Sequence, residues 1–159
     1  MSKIKYCIYP FCALLLLVMG LSQAKDNNMS LQEAQNVAHV ERTFQWFNQQ
    51  IQKEGKVKKV SNAEVAQYFA EDARMVTNGK LICAGVDEHT THFVEFQEKF
   101  ASMHSTPFKQ IEAKGDKVWL QYSINIEHRD GRVEDVQIMG YMQLKEGKIA
   151  HFEELVVHA

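Results

Sequence analysis

The chain has few of the residues that would point to an unusual architecture. It contains three cysteines, two prolines and eight glycines in 159 residues, and its formal charge is only −2. Two of the cysteines, Cys7 and Cys12, fall in an amino-terminal segment that reads as an export leader. Lys3 and Lys5 give that segment a positive start, Phe11 to Leu21 an apolar run, and Ser22-Gln23-Ala24 a small-x-small cleavage site. The apolar run is too short to span a bilayer, and no cysteine follows the expected cleavage point to take a lipid. The expectation is a signal peptide over residues 1–24 and a single domain over residues 25–159 in the periplasm or outside the cell, with no membrane attachment after cleavage. Cys83 is then the lone thiol, so no intramolecular disulfide can form, and it reads as a small buried apolar residue rather than a nucleophile. Cleavage leaves 16 basic against 20 acidic residues, a balance of −4, which disfavours nucleic acid as a partner. Repeats, low-complexity tracts and linkers are missing. About 135 residues suffice for one real core.

Patterning supplies the elements. Ser30 with Glu33 forms a capping-box signature, followed by Val37, Val40, Phe44, Phe47 and Ile51 at spacings of three and four, one face of a long helix with Trp46 beside it. Lys53 to Lys59 is a basic, glycine-containing loop. A second capping box, Ser61 with Glu64, opens a short helix expected to run through Val65, Tyr68 and Phe69. Asn78-Gly79 marks a tight hairpin between Arg74–Thr77 and Lys80–Cys83, because both central residues of a type I′ turn need positive φ. Gly85 precedes a third helix whose stripe, His89, Phe93, Phe96, Phe100 and Met103, implies an end at His104 to Pro107. From Phe108 the period becomes two: Val118, Leu120, Tyr122, Ile124 and Ile126 alternate with polar residues. Gly115-Asp116, Asp130-Gly131 and Glu146-Gly147 divide this half into four strands. Helices followed by hairpin-connected strands predict an α+β fold, with three amino-terminal helices packed on a curved, mostly antiparallel sheet and a hollow between them.

Three stretches carry a family resemblance. "YFAEDARMVTNG" (Tyr68 to Gly79), Gly85 opening the third helix, and "YMQLKEGKIAHFEE" (Tyr141 to Glu154) resemble the SnoaL-like branch of the nuclear transport factor 2 (NTF2)-like superfamily. The resemblance covers nearly all of residues 25–159 and implies a conical α+β barrel with an apolar pocket, often dimeric through the outer face of the sheet. Its members include ketosteroid isomerases, polyketide cyclases, dehydratases, epoxide hydrolases and non-catalytic domains, so the fold does not assign a reaction. Carried over residue by residue, the isomerase base falls at Thr77, the oxyanion tyrosine near Phe44, and the acid of the penultimate strand at Gly140 or its neighbours Met139 and Tyr141. None of these is a carboxylate, and Phe44 has no hydroxyl.

The remaining polar candidates are Glu153 and His151 on the last strand and His89 on the third helix. The resemblance, counted from the Glu146-Gly147 turn, implies that the side of the last strand carrying Glu153 and His151 faces the cone and that the side carrying Phe152 and Val156 meets a second subunit. There a glutamate and an imidazole could exchange a proton near neutral pH; on an exposed face both would simply touch water. His89 is either a pocket base or the solvent-facing end of its stripe. With His92 and Glu88 or Glu95 it has helical spacing for a metal, but no third ligand is specified, and no metal or other cofactor is expected. Trp46, Phe47, Tyr68, Phe93, Tyr122 and Met142 are the expected pocket wall, contiguous in this fold with the core. Three functions follow: binding of a small apolar molecule without the usual acid-base set; a lyase, isomerase or hydrolase using Glu153 with His151 or His89; and a non-catalytic dimeric interaction module.

Overall fold

The computed structural model describes residues 29–52 and 58–158. The expected leader and most of the basic loop lie outside the described residues. Among those described, no helix is long and apolar enough to cross a membrane.

Helix α1 (Leu31–Gln50) starts at the capping box: the Glu33 amide donates to Ser30 Oγ at 3.2 Å, and the Ser30 amide donates to Glu33 Oε2 at 2.8 Å. The other Glu33 oxygen accepts from the Gly115 amide at 2.8 Å, and Asn36 donates to the Gly115 carbonyl at 3.0 Å, fastening the helix start to a hairpin turn. These backbone and hydroxyl donors, led by the Gly115 amide, hold the Glu33 carboxyl down at about 2. The helix is rotated from the expected stripe. Its buried face includes Asn36, His39, Val40, Thr43 and Trp46, while Phe44 and Phe47 are only partly buried. The polar members tolerate burial because each has a partner: His39 Nε2 donates to the Tyr68 carbonyl at 3.0 Å and Thr43 to the His39 carbonyl at 2.9 Å.

Helix α2 (Asn62–Val65) keeps its capping box but stops before Tyr68, and Phe69 begins strand β1 (Phe69–Thr77). Asn78 and Gly79, with φ of 50° and 75°, turn the chain into β2 (Lys80–Ala84). Helix α3 (Gly85–Lys99) is shorter than its stripe implied, since Phe100 and Met103 belong to strand β3 (Phe100–Ser105). A bulge between Phe100 and Ser102 lets Phe100 and Met103 both point inward although they are three apart, which imitates helical spacing.

The carboxy-terminal half is the expected meander: β4 (Gln110–Lys114), β5 (Lys117–His128), β6 (Val133–Lys145) and β7 (Lys148–His158). The sheet order is β2-β1-β7-β6-β5-β3, with β4 pairing β5 beyond the end of β3. Every pairing is antiparallel except β1 with β7. Helices α1 and α3 cover the concave face, and the inward set Val118, Leu120, Tyr122, Ile124 and Ile126 is buried beneath them.

Candidate functional site

A cavity of about 270 Å³ lies between the concave face of the sheet and helices α1 and α3. Helix α1 supplies Phe44, Trp46 and Phe47, helix α3 supplies His92, Phe93 and Phe96, and the sheet supplies Tyr122, Met142, Phe152 and Val156 among others. The rings lock one another. Trp46 meets Phe93 edge-on with centroids 5.3 Å apart, and Phe44 meets Tyr122 edge-on at 4.8 Å. Ile82 on β2 also lines the cavity yet is 41% exposed, which places it at the mouth. Of the expected wall, Trp46, Phe47, Phe93, Tyr122 and Met142 line the hollow. Tyr68 does not; it stacks on Trp46 at 4.8 Å.

Among the described residues one carboxyl enters this apolar space, and it is Glu154. Its Oε1 accepts from the Thr77 hydroxyl at 2.9 Å and its Oε2 from the Tyr122 hydroxyl at 3.3 Å. Glu154 is 6% exposed, and among the described residues no lysine or arginine lines the cavity beside it. Burial pushes its pKa above the usual carboxylate range, opposed in part by the two hydroxyl donors. Tyr122, fully buried and facing that carboxyl, has its phenol raised well above 10. Across the sheet, Leu120, Gly140, Glu154 and Thr77 form one row of directly opposed residues. The position where the family resemblance implies an acid, Gly140, is thus empty of any side chain, and a carboxyl stands at the neighbouring place on β7. A Cβ at Gly140 would collide with the Glu153 carbonyl oxygen, so close approach of the two strands requires glycine there.

The inward assignment of His151 and Glu153 is corrected by this geometry. Both lie on the outer face, where His151 Nε2 is 3.4 Å from Glu153 Oε2 and Tyr141 donates to the same oxygen at 3.0 Å. Phe152, Glu154 and Val156 are the residues that line the cavity. The cause is an irregularity in the β6–β7 pairing: Leu144 opposes Ile149, Gln143 opposes His151, and Ala150 is the extra residue. Ile149 points inward as expected, but after the bulge every later side chain exchanges faces.

His89 is neither a pocket base nor a solvent-facing end. It is 1% exposed, outside the cavity lining, and packed on the Phe69 ring at 4.8 Å. Nδ1 donates to the Gly85 carbonyl at 2.8 Å and Nε2 has no hydrogen-bond partner among the described residues. Burial lowers its pKa below the ordinary 6.5. His92, not His89, reaches the cavity wall. Cys83 is buried, and burial together with the Glu88 charge pushes its thiol up to about 12, so it stays protonated and unreactive. Among the described residues no three histidine, cysteine, aspartate or glutamate side chains are grouped to hold a metal ion.

Sequence reasoning missed Glu154, Thr77 as its partner and Thr43, and it considered His92 only for metal spacing, not for the cavity wall. A signal for Glu154 was present: Phe152, Glu154 and Val156 share a parity, two large apolar residues flanking one acid, whereas Glu153 alternates with a histidine and aliphatic residues.

No protein-family profile and no curated protein sequence matches the chain. Solved structures do. An NTF2-like protein from Anabaena variabilis ATCC 29413 superposes with a TM-score of 0.64 at 12% identity, over 82% of this chain and 95% of that one. A SnoaL-like protein with a polyketide cyclase assignment, from Jannaschia sp. CCS1, gives 0.63 at 15% identity over 80% and 88%. An LEH-like epoxide hydrolase of M. tuberculosis gives 0.62 at 12% identity over 79% and 84%. Identity this low carries over the architecture and not the chemistry. The curled sheet, the helices on its concave face and these superpositions together give the chain the α+β cone fold of the SnoaL-like and NTF2-like superfamily.

Proposed function

We propose that this chain binds a small, mostly apolar molecule in the cone and holds the one polar group of that molecule at Glu154. The observation that supports this reading is a buried carboxyl, with no cationic partner among the described residues, at the wall of a largely aromatic and aliphatic cavity. Such a group costs stability in the empty protein, and small-molecule sites are generally apolar with a few placed polar groups. The usual isomerase and cyclase positions, Thr77, Phe44 and Gly140, offer no acid or base, so binding does not depend on that set. Native mass spectrometry of the purified protein tests the reading through a retained ligand. Glu154→Gln together with Tyr122→Phe should reduce its occupancy about tenfold or more. Full occupancy in the double variant would remove Glu154 from the site.

A lyase, isomerase or hydrolase is the second reading, with Glu154 in place of Glu153, which the sequence had paired with His151 or His89. Its support is the placement of the Glu154 carboxyl at the cavity wall, where burial raises its pKa and makes it a stronger proton acceptor than an exposed carboxylate. A ligand recovered from D₂O should then carry deuterium with the native protein and none with Glu154→Gln.

The assembly and compartment complete the proposal. Trp119, Met139, Leu155 and Val157 are exposed on the outer face of the sheet, an apolar patch that suits a second copy. Light scattering should find a dimer that Leu155→Glu dissociates. Removal of Met1 to Ala24 and release into the periplasm would appear as a mature amino terminus at Lys25.

A further inference from the structure

Where the cavity holds a small molecule, as proposed above, the chemistry of its wall restricts the charge of that molecule. The polar groups lining it are Thr43, Thr77, Tyr122, Glu154 and His92. A hydroxyl has one proton to give. Thr43 spends its proton on the His39 carbonyl at 2.9 Å, Thr77 on Glu154 Oε1 at 2.9 Å, and Tyr122 on Glu154 Oε2 at 3.3 Å. All three hydroxyls therefore turn only lone pairs toward the interior. The Glu154 carboxylate has about four acceptor sites, of which these two bonds occupy half. His92 has Nδ1 4.0 Å from the Glu95 carboxylate, and burial keeps its imidazole neutral.

Among the described residues the wall thus offers acceptors and few donors, one acid and no lysine or arginine. Around the acceptors stand the rings of Phe44, Trp46, Phe47, Phe93, Phe96 and Tyr122, whose faces carry negative potential. An anion would meet repulsion from both. A neutral alcohol could give one hydrogen bond but would leave the carboxylate without a counter-charge in an apolar space. A protonated amine supplies the missing donors and the missing charge together.

We propose that the occupant of the cavity is an organic ammonium, a protonated amine on a small apolar body, seated with its N–H groups on Glu154 and its carbon skeleton among the aromatic rings.

Isothermal titration of the mature protein at neutral pH with three probes of similar shape tests this: phenethylamine, 2-phenylethanol and 3-phenylpropanoate. Phenethylamine should bind about tenfold or more tightly than the alcohol, with the carboxylate weakest. Glu154→Gln should erase that preference while keeping the alcohol within about threefold of its native affinity, which also shows that the variant cavity is intact. Tyr122→Phe, which retains the charge, should keep the preference. If the alcohol binds as tightly as the amine, or the carboxylate binds best, the ammonium assignment falls and the ligand-binding role of the cavity stands. Failure of all three probes to bind at millimolar concentration would overturn both.

Discussion

Glu153 and Glu154 are adjacent in the chain and opposite in circumstance. Glu153 lies on the convex face with its side chain 44% exposed, beside His151 and the Tyr141 hydroxyl. Glu154 lies on the concave face, 6% exposed, its two oxygens bonded among the described residues to the hydroxyls of Thr77 and Tyr122. The outer carboxylate is surrounded by water, which supplies any stabilisation its neighbours do not. The inner one depends on two neutral donors, which stabilise an anion less than a cation would. Residue type is the same; what turns one of them toward chemistry is the removal of water. The contrast also indicates where stability has been given up, since a buried carboxyl is unfavourable for folding and useful for recognition.

The contrast is most severely broken at Gly140, which lets β6 and β7 approach closely enough to aim Glu154 inward. In Gly140→Val the new Cβ has nowhere to go but into the Glu153 carbonyl, and backbone cannot yield as a flexible side chain would. The expected loss is about 2–3 kcal/mol in urea unfolding, with an unchanged slope if the unfolded state is unaffected. Unaltered stability would mean that the strands separate freely at this point and that glycine there is incidental.

A smaller effect, opposite in sign, is expected from Glu154→Gln. The Glu154 pKa is raised in the fold, so its favourable contribution is complete below its unfolded value near 4.5 and is lost as pH rises through the folded value. At neutral pH the glutamine variant should therefore be more stable than the native protein by about 1 kcal/mol, and the difference should vanish near pH 4. Buried histidines slope the other way. His89 has a lowered pKa, so the stability it confers is complete above 6.5 and declines as pH falls toward the folded value. Melting curves of His89→Phe should be flatter than native on the acid side, with a cost of about 1 kcal/mol at pH 8 for the lost bond to Gly85. A Glu154→Gln variant less stable than native at neutral pH would show that the two hydroxyls compensate the charge fully.

Turn chemistry and capping made most of the fold legible. Asn78-Gly79, Asp130-Gly131 and Glu146-Gly147 separate the strands they were expected to separate, and Ser30 and Ser61 begin their helices. Alternation along β5 identified every inward residue from Val118 to Ile126. The two main errors share one physical cause. Ala150 and the Phe100–Ser102 step each place an extra residue against the partner strand, and a bulge belongs to a pair of strands rather than to one sequence. At Phe100 it disguised a strand as the end of a helix; at Ala150 it exchanged Glu153 for Glu154. The polar burial of Asn36, His39 and Thr43 was hidden for a related reason: their partners, at Gly115, Tyr68 and His39, are known only once the chain is folded.

The finest test lies on the convex side. His151 Nε2 and Glu153 Oε2 are 3.4 Å apart, and the two side chains are 25% and 44% exposed. A histidine–carboxylate contact that remains accessible to water gains little, because solvent and salt screen it and both side chains must be held still. His151→Ala and Glu153→Gln should each change stability by about 0.5 kcal/mol or less, and neither should alter ligand retention. Their combination should show a coupling of similar small size in a double-mutant cycle, declining further as salt is added. A loss of ligand in either single variant would return the outer pair to the functional site and remove the distinction between the two faces.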